Sequence, residues 1–188
     1  MILALSGAAG AGKSTAAAYL EAQHGYVRVR FAGPLKAMLR AFLYTAGTPP
    51  EAVERMIEGD LKQSPAFVLG GRTPRQAMQT LGTEWGRDLM APDLWTMAWE
   101  AGASAALAGG ARGVVVEDLR FPNEAEAVRR LGGRIAHVER PNGALALDAH
   151  PSEGQALPAD VRLVNDAGPG VLFAQLDALV LDLARLAA

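Results

Sequence analysis

The chain of 188 residues contains no cysteine, which excludes disulfides, thiolate zinc sites and a cysteine nucleophile. Its three histidines, His24, His137 and His150, are too scattered for a metal cluster. Lysine is almost as scarce: Lys13, Lys36 and Lys62 are the only three among 18 basic residues. The net charge is −2, so there is no bulk attraction for nucleic acid or an anionic membrane, and a polyanion must be held by local cations. No basic region with a long apolar core follows Met1, so no signal peptide is expected. The most apolar late stretch, "VLFAQLDALVLDLARL", carries Asp177, Asp182 and Arg185 and does not read as a membrane span. What remains is a cytoplasmic enzyme or binding protein, with neither nucleic acid nor membrane as partner.

Half of the residues are hydrophobic and a fifth are charged, as in an ordinary globule with a real core. Strands and helices alternate. "MILALS" reads as a buried strand and "KSTAAAYLEAQHG" as a helix stopped by Gly25. "YVRVRF" alternates, which predicts a strand with Val27, Val29 and Phe31 on one face. "GPLKAMLRAFLYTAG" predicts a helix with an apolar stripe of Leu35, Met38, Leu39, Phe42 and Leu43. Two capping boxes are expected, Thr48 with Glu51 and Thr73 with Gln76, the second opening a helix over "RTPRQAMQTLG". A helix over "APDLWTMAWEAGASAALAGG" precedes "GVVVEDL", the most strand-like run. "FPNEAEAVRRLGG" is a helix, "RIAHVE" and "VRLVN" are strands, and a helix from about Val171 to Leu186 follows. This order predicts one α/β domain, a three-layer doubly wound sheet. About eighty residues, nearly all helical, separate the second strand from the third. They form an expected lobe over about 32–112.

Gly7-Ala8-Ala9-Gly10-Ala11-Gly12-Lys13-Ser14 matches G-x-x-x-x-G-K-[ST] at each fixed position, after a strand and before a helix. Thr15 completes the stretch. Glycine lets successive backbone N–H groups turn inward around phosphate oxygens, and the helix N-terminus adds partial positive charge. Lys13 is expected at the β- and γ-phosphates, and Ser14 on Mg²⁺. The loop indicates a nucleoside triphosphate, but motors, switches and small-molecule kinases share it.

The acceptor evidence lies downstream. "VVVEDLR" places Asp118 and Arg120 at the carboxyl end of a central strand, where α/β sheets bind ligands. Asp118 is an expected Mg²⁺ ligand and Arg120 a phosphate contact. Lys36 opens the helix after the second strand. Arg72, Arg75 and Arg87 lie in the lobe, and guanidinium forks suit phosphate. Gln79 and Thr83 lie between Arg75 and Arg87 and are placed to read a base or sugar. Trp85, Trp95 and Trp99 read as core rather than as base-stacking platforms.

The ordered set "FAGPLK", "RQAMQTLGTEWGRD", "PDLW", "EDLRFPNEAEAVRRLGG" and "HPSE" resembles the phage-type deoxynucleoside monophosphate kinases over nearly the whole chain. The resemblance implies a P-loop kinase with five parallel strands in order 2-3-1-4-5, the lobe binding the acceptor and a lid over about 140–160. It implies transfer of the ATP γ-phosphoryl group to a deoxynucleoside 5′-monophosphate, with Mg²⁺. The site it implies adds Arg140 to the catalytic residues Lys13, Asp118 and Arg120, and Trp95 and Glu153 to the acceptor contacts. His150 and Ser152 fall in the expected lid. The chain has Gly33 where the family has an acidic residue, so no side chain acts there. A homodimer, and the host cytoplasm for a phage-encoded chain, fit the same resemblance. The rivals are a kinase of another small acceptor, such as dephospho-coenzyme A, and a nucleotide-dependent switch or ATPase.

Overall fold

Strand β1, Ile2–Ser6, is buried at all five positions, the signature of a strand covered on both faces in a parallel sheet. The computed structural model describes residues 1–141 and 157–186. His150, Ser152 and Glu153 lie outside them. Around β1 stand β2 (Tyr26–Arg28), β3 (Gly113–Val116), β4 (Arg134–Glu139) and β5 (Val161–Val164). All pair in parallel, in the order β2-β3-β1-β4-β5. This is the order that the family resemblance implies. β1 is central, so its carboxyl end meets the ends of β3 and β4 on either side.

Two helices cover one face. α1 (Lys13–His24) contributes Ala16, Ala17 and Leu20, and α7 (Pro169–Leu186) contributes Leu172, Leu176 and Leu179. These meet Leu3, Leu5, Val115, Val138 and Leu163 of the strands. The spacing of three and four on α7 makes one continuous apolar stripe. Asp177 on its polar flank accepts the Tyr19 hydroxyl at 2.9 Å and pairs with His24 at 2.7 Å, tying α7 to α1. α6 (Pro122–Arg130) connects β3 to β4.

β2 is shorter than the expected strand, and of Val27, Val29 and Phe31 only Phe31, past its end, is buried. It spans three residues, and Val27 is 43% exposed. Tyr26 is the buried member, its hydroxyl bonded to Met1 Sδ and its pKa pushed up to about 12 by burial. Arg28, of the same parity, points inward with Tyr26. The alternation was present, but on this edge strand the polar phase faces a buried carboxylate, described below.

The chain divides into two compact units, Met1–Phe31 with Glu100–Ala188, and Ala32–Trp99. α5 (Leu94–Ala108) includes both Trp99 and Glu100, where the units divide. The second unit is helical: α2 (Gly33–Thr45), α3 (Pro50–Ile57) and α4 (Pro74–Thr80) enclose Leu35, Leu39, Leu43, Val53, Met56, Ile57, Met78 and Trp95. Met38 and Phe42, expected in the stripe of α2, are 40% and 52% exposed.

The Thr73 capping box forms as expected. Gln76 N–H donates to Thr73 Oγ1 at 3.1 Å, and Thr73 N–H to Gln76 Oε1 at 3.0 Å. The Thr48 box does not. Thr48 N–H instead closes the end of α2 on the Leu43 carbonyl, and extended Pro49 takes the cap position of α3. Proline at the following position holds Thr48 away from helical geometry.

α4 also fails to stop at Gly82. It continues as a wide helix, Leu81–Met90, ending on an i→i+5 bond from Ala91 N–H to the Gly86 carbonyl. Trp95 accounts for this. Its indole N–H donates to the Gly82 carbonyl at 2.8 Å. A Cβ at Gly86 would fall 2.5 Å from the Trp95 ring.

Leu176 is fully buried among strand side chains. Leu176→Ala is expected to destabilise the protein by about 2–5 kcal/mol, read as a lower urea midpoint. An unchanged midpoint would mean that α7 is not packed on the sheet.

Candidate active site

At the end of β1 the chain turns through Gly7, Gly10 and Gly12, with φ of +129°, +78° and +111°. At Gly7 a side chain is excluded twice over, since a Cβ would also lie 2.2 Å from the Val138 carbonyl oxygen of β4. Gly12 caps α1 without a side chain, so the N–H groups of the first turn face outward with their partial charge. Lys13 folds over the loop, its Nζ donating to the carbonyls of Gly7 at 2.6 Å and Ala8 at 2.7 Å. Gly7 through Thr15 thus forms one continuous cradle, with Ala8, Gly10, Ser14 and Thr15 exposed.

Neighbouring strands brace this cradle. Asn165, just after β5, donates from Nδ2 to the Ala11 carbonyl at 2.9 Å. Ser6 Oγ lies 3.1 Å from His137 Nδ1 on β4. Arg140, just past β4, is exposed and reaches the Gly10 carbonyl with Nη1 at 3.5 Å. Arg140 therefore stands at the rim of the loop.

On the other side, two adjacent carboxylates leave β3. Glu117 is only 6% exposed. Its Oε1 accepts Arg28 Nη1 at 3.0 Å and Arg30 Nε at 2.7 Å, while Oε2 is buried with no full hydrogen bond among the described residues. Burial is the largest influence on its pKa and pushes it up. The pull of the Ser14 hydroxyl and the charges of Arg30 and Arg28 outweigh this and hold the carboxyl below the ordinary glutamate value. Asp118 is turned differently: its Oδ1 accepts the Phe31 N–H at 3.0 Å, tying the end of β2 to β3.

The carboxylate beside Ser14 is thus Glu117, one residue before the expected Asp118. The donor set fits a divalent cation: a hydroxyl, an ionised carboxylate and an unmatched buried oxygen. No group of three or more His, Cys, Asp or Glu stands ready for a metal among the described residues. A cation here would therefore take its remaining ligands from phosphate and water. Arg120 is exposed; its backbone N–H is pinned by Glu124 Oε2 at 2.8 Å, which also takes Phe121 N–H at 3.1 Å. The "RFPNE" turn thereby fixes where Arg120 leaves the strand end.

In the second unit, Arg75, Gln79, Thr83 and Arg87 are spaced by four along α4 and its wide continuation. Gln79 and Thr83 are exposed and the two arginines half-buried. Lys36 pairs with Glu58 at 2.8 Å. Trp95 is 3% exposed with its N–H already bonded, so it supports the lobe from within instead of facing a ligand. Gln76, Thr80 and Glu84, one position along, line a groove of about 750 Å³ with Arg72, Met38 and Phe42. Glu153 lies outside the described residues.

The family model for deoxynucleotide monophosphate kinase matches residues 71–168, more than half of the chain. The chain belongs to the deoxynucleotide monophosphate kinase family. It is an enzyme, a nucleotide kinase that draws on a nucleoside triphosphate. A curated protein of Acanthamoeba polyphaga mimivirus, named as a candidate deoxynucleotide monophosphate kinase, is 29% identical over 94% of each chain. The solved structure of TT1252 from Thermus thermophilus shares the fold, with 21% identity, 97% of each chain covered and a TM-score of 0.53. No helix among the described residues is long and apolar enough to cross a membrane.

Gly10 and Gly7 of this loop separate strain from clash. Gly10 has positive φ but open space at its Cβ, so Gly10→Ala should cost about 1–2 kcal/mol. Gly7→Ala adds the collision with Val138 and should cost clearly more and abolish triphosphate binding. Thermal melts and calorimetric titration of both variants check this ordering, and equal losses would contradict it.

Proposed function

We infer that this kinase transfers the γ-phosphoryl group of ATP to the 5′-phosphate of a deoxynucleoside monophosphate, giving the diphosphate. The observation that carries the reading is the glycine cradle with Lys13, set beside the buried, ionised Glu117. Loop N–H groups and Lys13 would hold the donor phosphates. Ser14 and Glu117 would hold Mg²⁺, which neutralises phosphate charge when bound, with Asp118 fixing the strand end behind them.

The acceptor is a phosphate whose second pKa is about 6, so its oxygen is ionised near neutral pH and needs no strong general base. The difficulty is bringing two polyanions together. Arg120 and Arg140, both exposed beside the loop's end of the sheet, are the cations assigned to that charge. Holding donor and acceptor in line supplies the rest of the acceleration.

Recognition of the monophosphate is assigned to Arg75, Gln79, Thr83 and Arg87, with Lys36 as a further cation. A bound acceptor covers such polar groups, and a wrong one covers them without pairing them. The lobe, not the glycine loop, therefore sets base and sugar preference.

Two outcomes are expected in steady-state kinetics. ADP release should depend on an added deoxynucleoside monophosphate, and Arg87→Ala should raise the KM for that monophosphate about tenfold or more while leaving the KM for ATP near wild type. Hydrolysis independent of acceptor, or a change confined to ATP, would contradict the assignment.

A further inference from the structure

β2 and its continuation carry arginines at positions 28 and 30, two apart and so on one side of the extended chain. Both grip the same atom. Glu117 Oε1 accepts Arg28 Nη1 at 3.0 Å and Arg30 Nε at 2.7 Å, and Arg30 Nη2 approaches that oxygen as well. Arg28 is steadied in turn by Glu21, which holds its other terminal nitrogen.

This arrangement is lopsided. A carboxylate facing guanidinium forks ordinarily spreads the contacts over both oxygens, since the bidentate match is the stronger one. Here three N–H groups converge on Oε1, and Oε2 is left buried without a full hydrogen bond among the described residues. The side chain is 6% exposed, so bulk water does not complete it. A polar group near the carboxylate outside the arginine pair is the Ser14 hydroxyl, at the start of α1.

We propose that Arg28 and Arg30 are positioning residues that hold Glu117 by one oxygen, so that the other is presented beside Ser14 to the divalent cation of the bound nucleotide. The proposal rests on the reading of Ser14 and Glu117 as the cation-holding pair. Two planar guanidiniums on one oxygen fix the rotation of the carboxylate. A lysine, a compact charge on a flexible stem, would not. Groups that orient a metal ligand in this way set metal affinity without touching the metal.

The test uses the full chain with ADP, titrated with Mn²⁺ and followed by electron paramagnetic resonance. Arg30→Gln should weaken Mn²⁺ binding about 10-fold or more, with the affinity for metal-free ADP unchanged. Arg30→Lys keeps a cation against the buried carboxylate and so guards against simple misfolding; it should recover only part of the loss. Glu117→Gln sets the scale. Should Glu117→Gln weaken Mn²⁺ binding while both Arg30 variants match wild type, the positioning role is overturned and the cation site stands. Should Glu117→Gln itself leave Mn²⁺ binding unchanged, the cation site falls and the positioning role with it.

Discussion

The carbonyl of Val138 leaves no room for a side chain where β1 ends, and from that constraint the glycine coil follows. Only glycine passes that point with the required φ. The chain must therefore coil tightly there before α1 starts. The coil turns backbone N–H groups to one side, and α1 adds its own N-terminal charge to them. β1 sits in the middle of the sheet. The same constraint thus delivers the loop to the place where β3 brings Glu117 and Asp118, and β4 brings His137 and Arg140.

The electrostatics of that place are arranged by burial. Glu117 lies deep enough for desolvation to favour its neutral form, yet the Ser14 hydroxyl and two guanidiniums keep it ionised. A buried carboxylate without such partners would be strongly destabilising. The adjacent Asp118 spends an oxygen on the backbone of Phe31. Two neighbouring carboxylates thus divide the work, one binding strand to strand and one facing the loop.

Much of this was legible in the sequence, for local reasons. The glycine loop, the alternation of strands and helices and the Thr73 cap are short patterns whose physics acts within a few residues, whereas the strand order came from the family resemblance. Glu117 was not singled out beside Asp118, because which of two adjacent acids is the more buried depends on where β3 ends, and that is settled by its neighbours. Arg28 and Arg30 were hidden by the rule that the apolar phase of a strand is the buried one. Their partner is some ninety positions away (87 and 89), beyond any local pattern, although two arginines at i and i+2 in the other phase of "YVRVRF" were the available signal. The pattern "RTPRQAMQTLG" carries the helix as far as Gly82, and only the tertiary bond to Trp95 shows why it widens and goes on. Trp95 itself, placed among acceptor contacts by resemblance, is core.

Arg75, Gln79, Thr83 and Arg87 share one line on the lobe because the chain keeps helical spacing through Gly82 and Gly86. The wide turn is therefore what keeps the four side chains proposed for the acceptor in register. The claim on which everything else stands is that Lys13 and its loop hold the donor. The most direct measurement follows a radiolabelled γ-phosphate from ATP to a deoxynucleoside monophosphate in wild type and in Lys13→Ala. The account predicts labelled diphosphate from the wild type and none from a Lys13→Ala protein with a native circular dichroism spectrum and melting curve. Undiminished label transfer by that folded variant would contradict it.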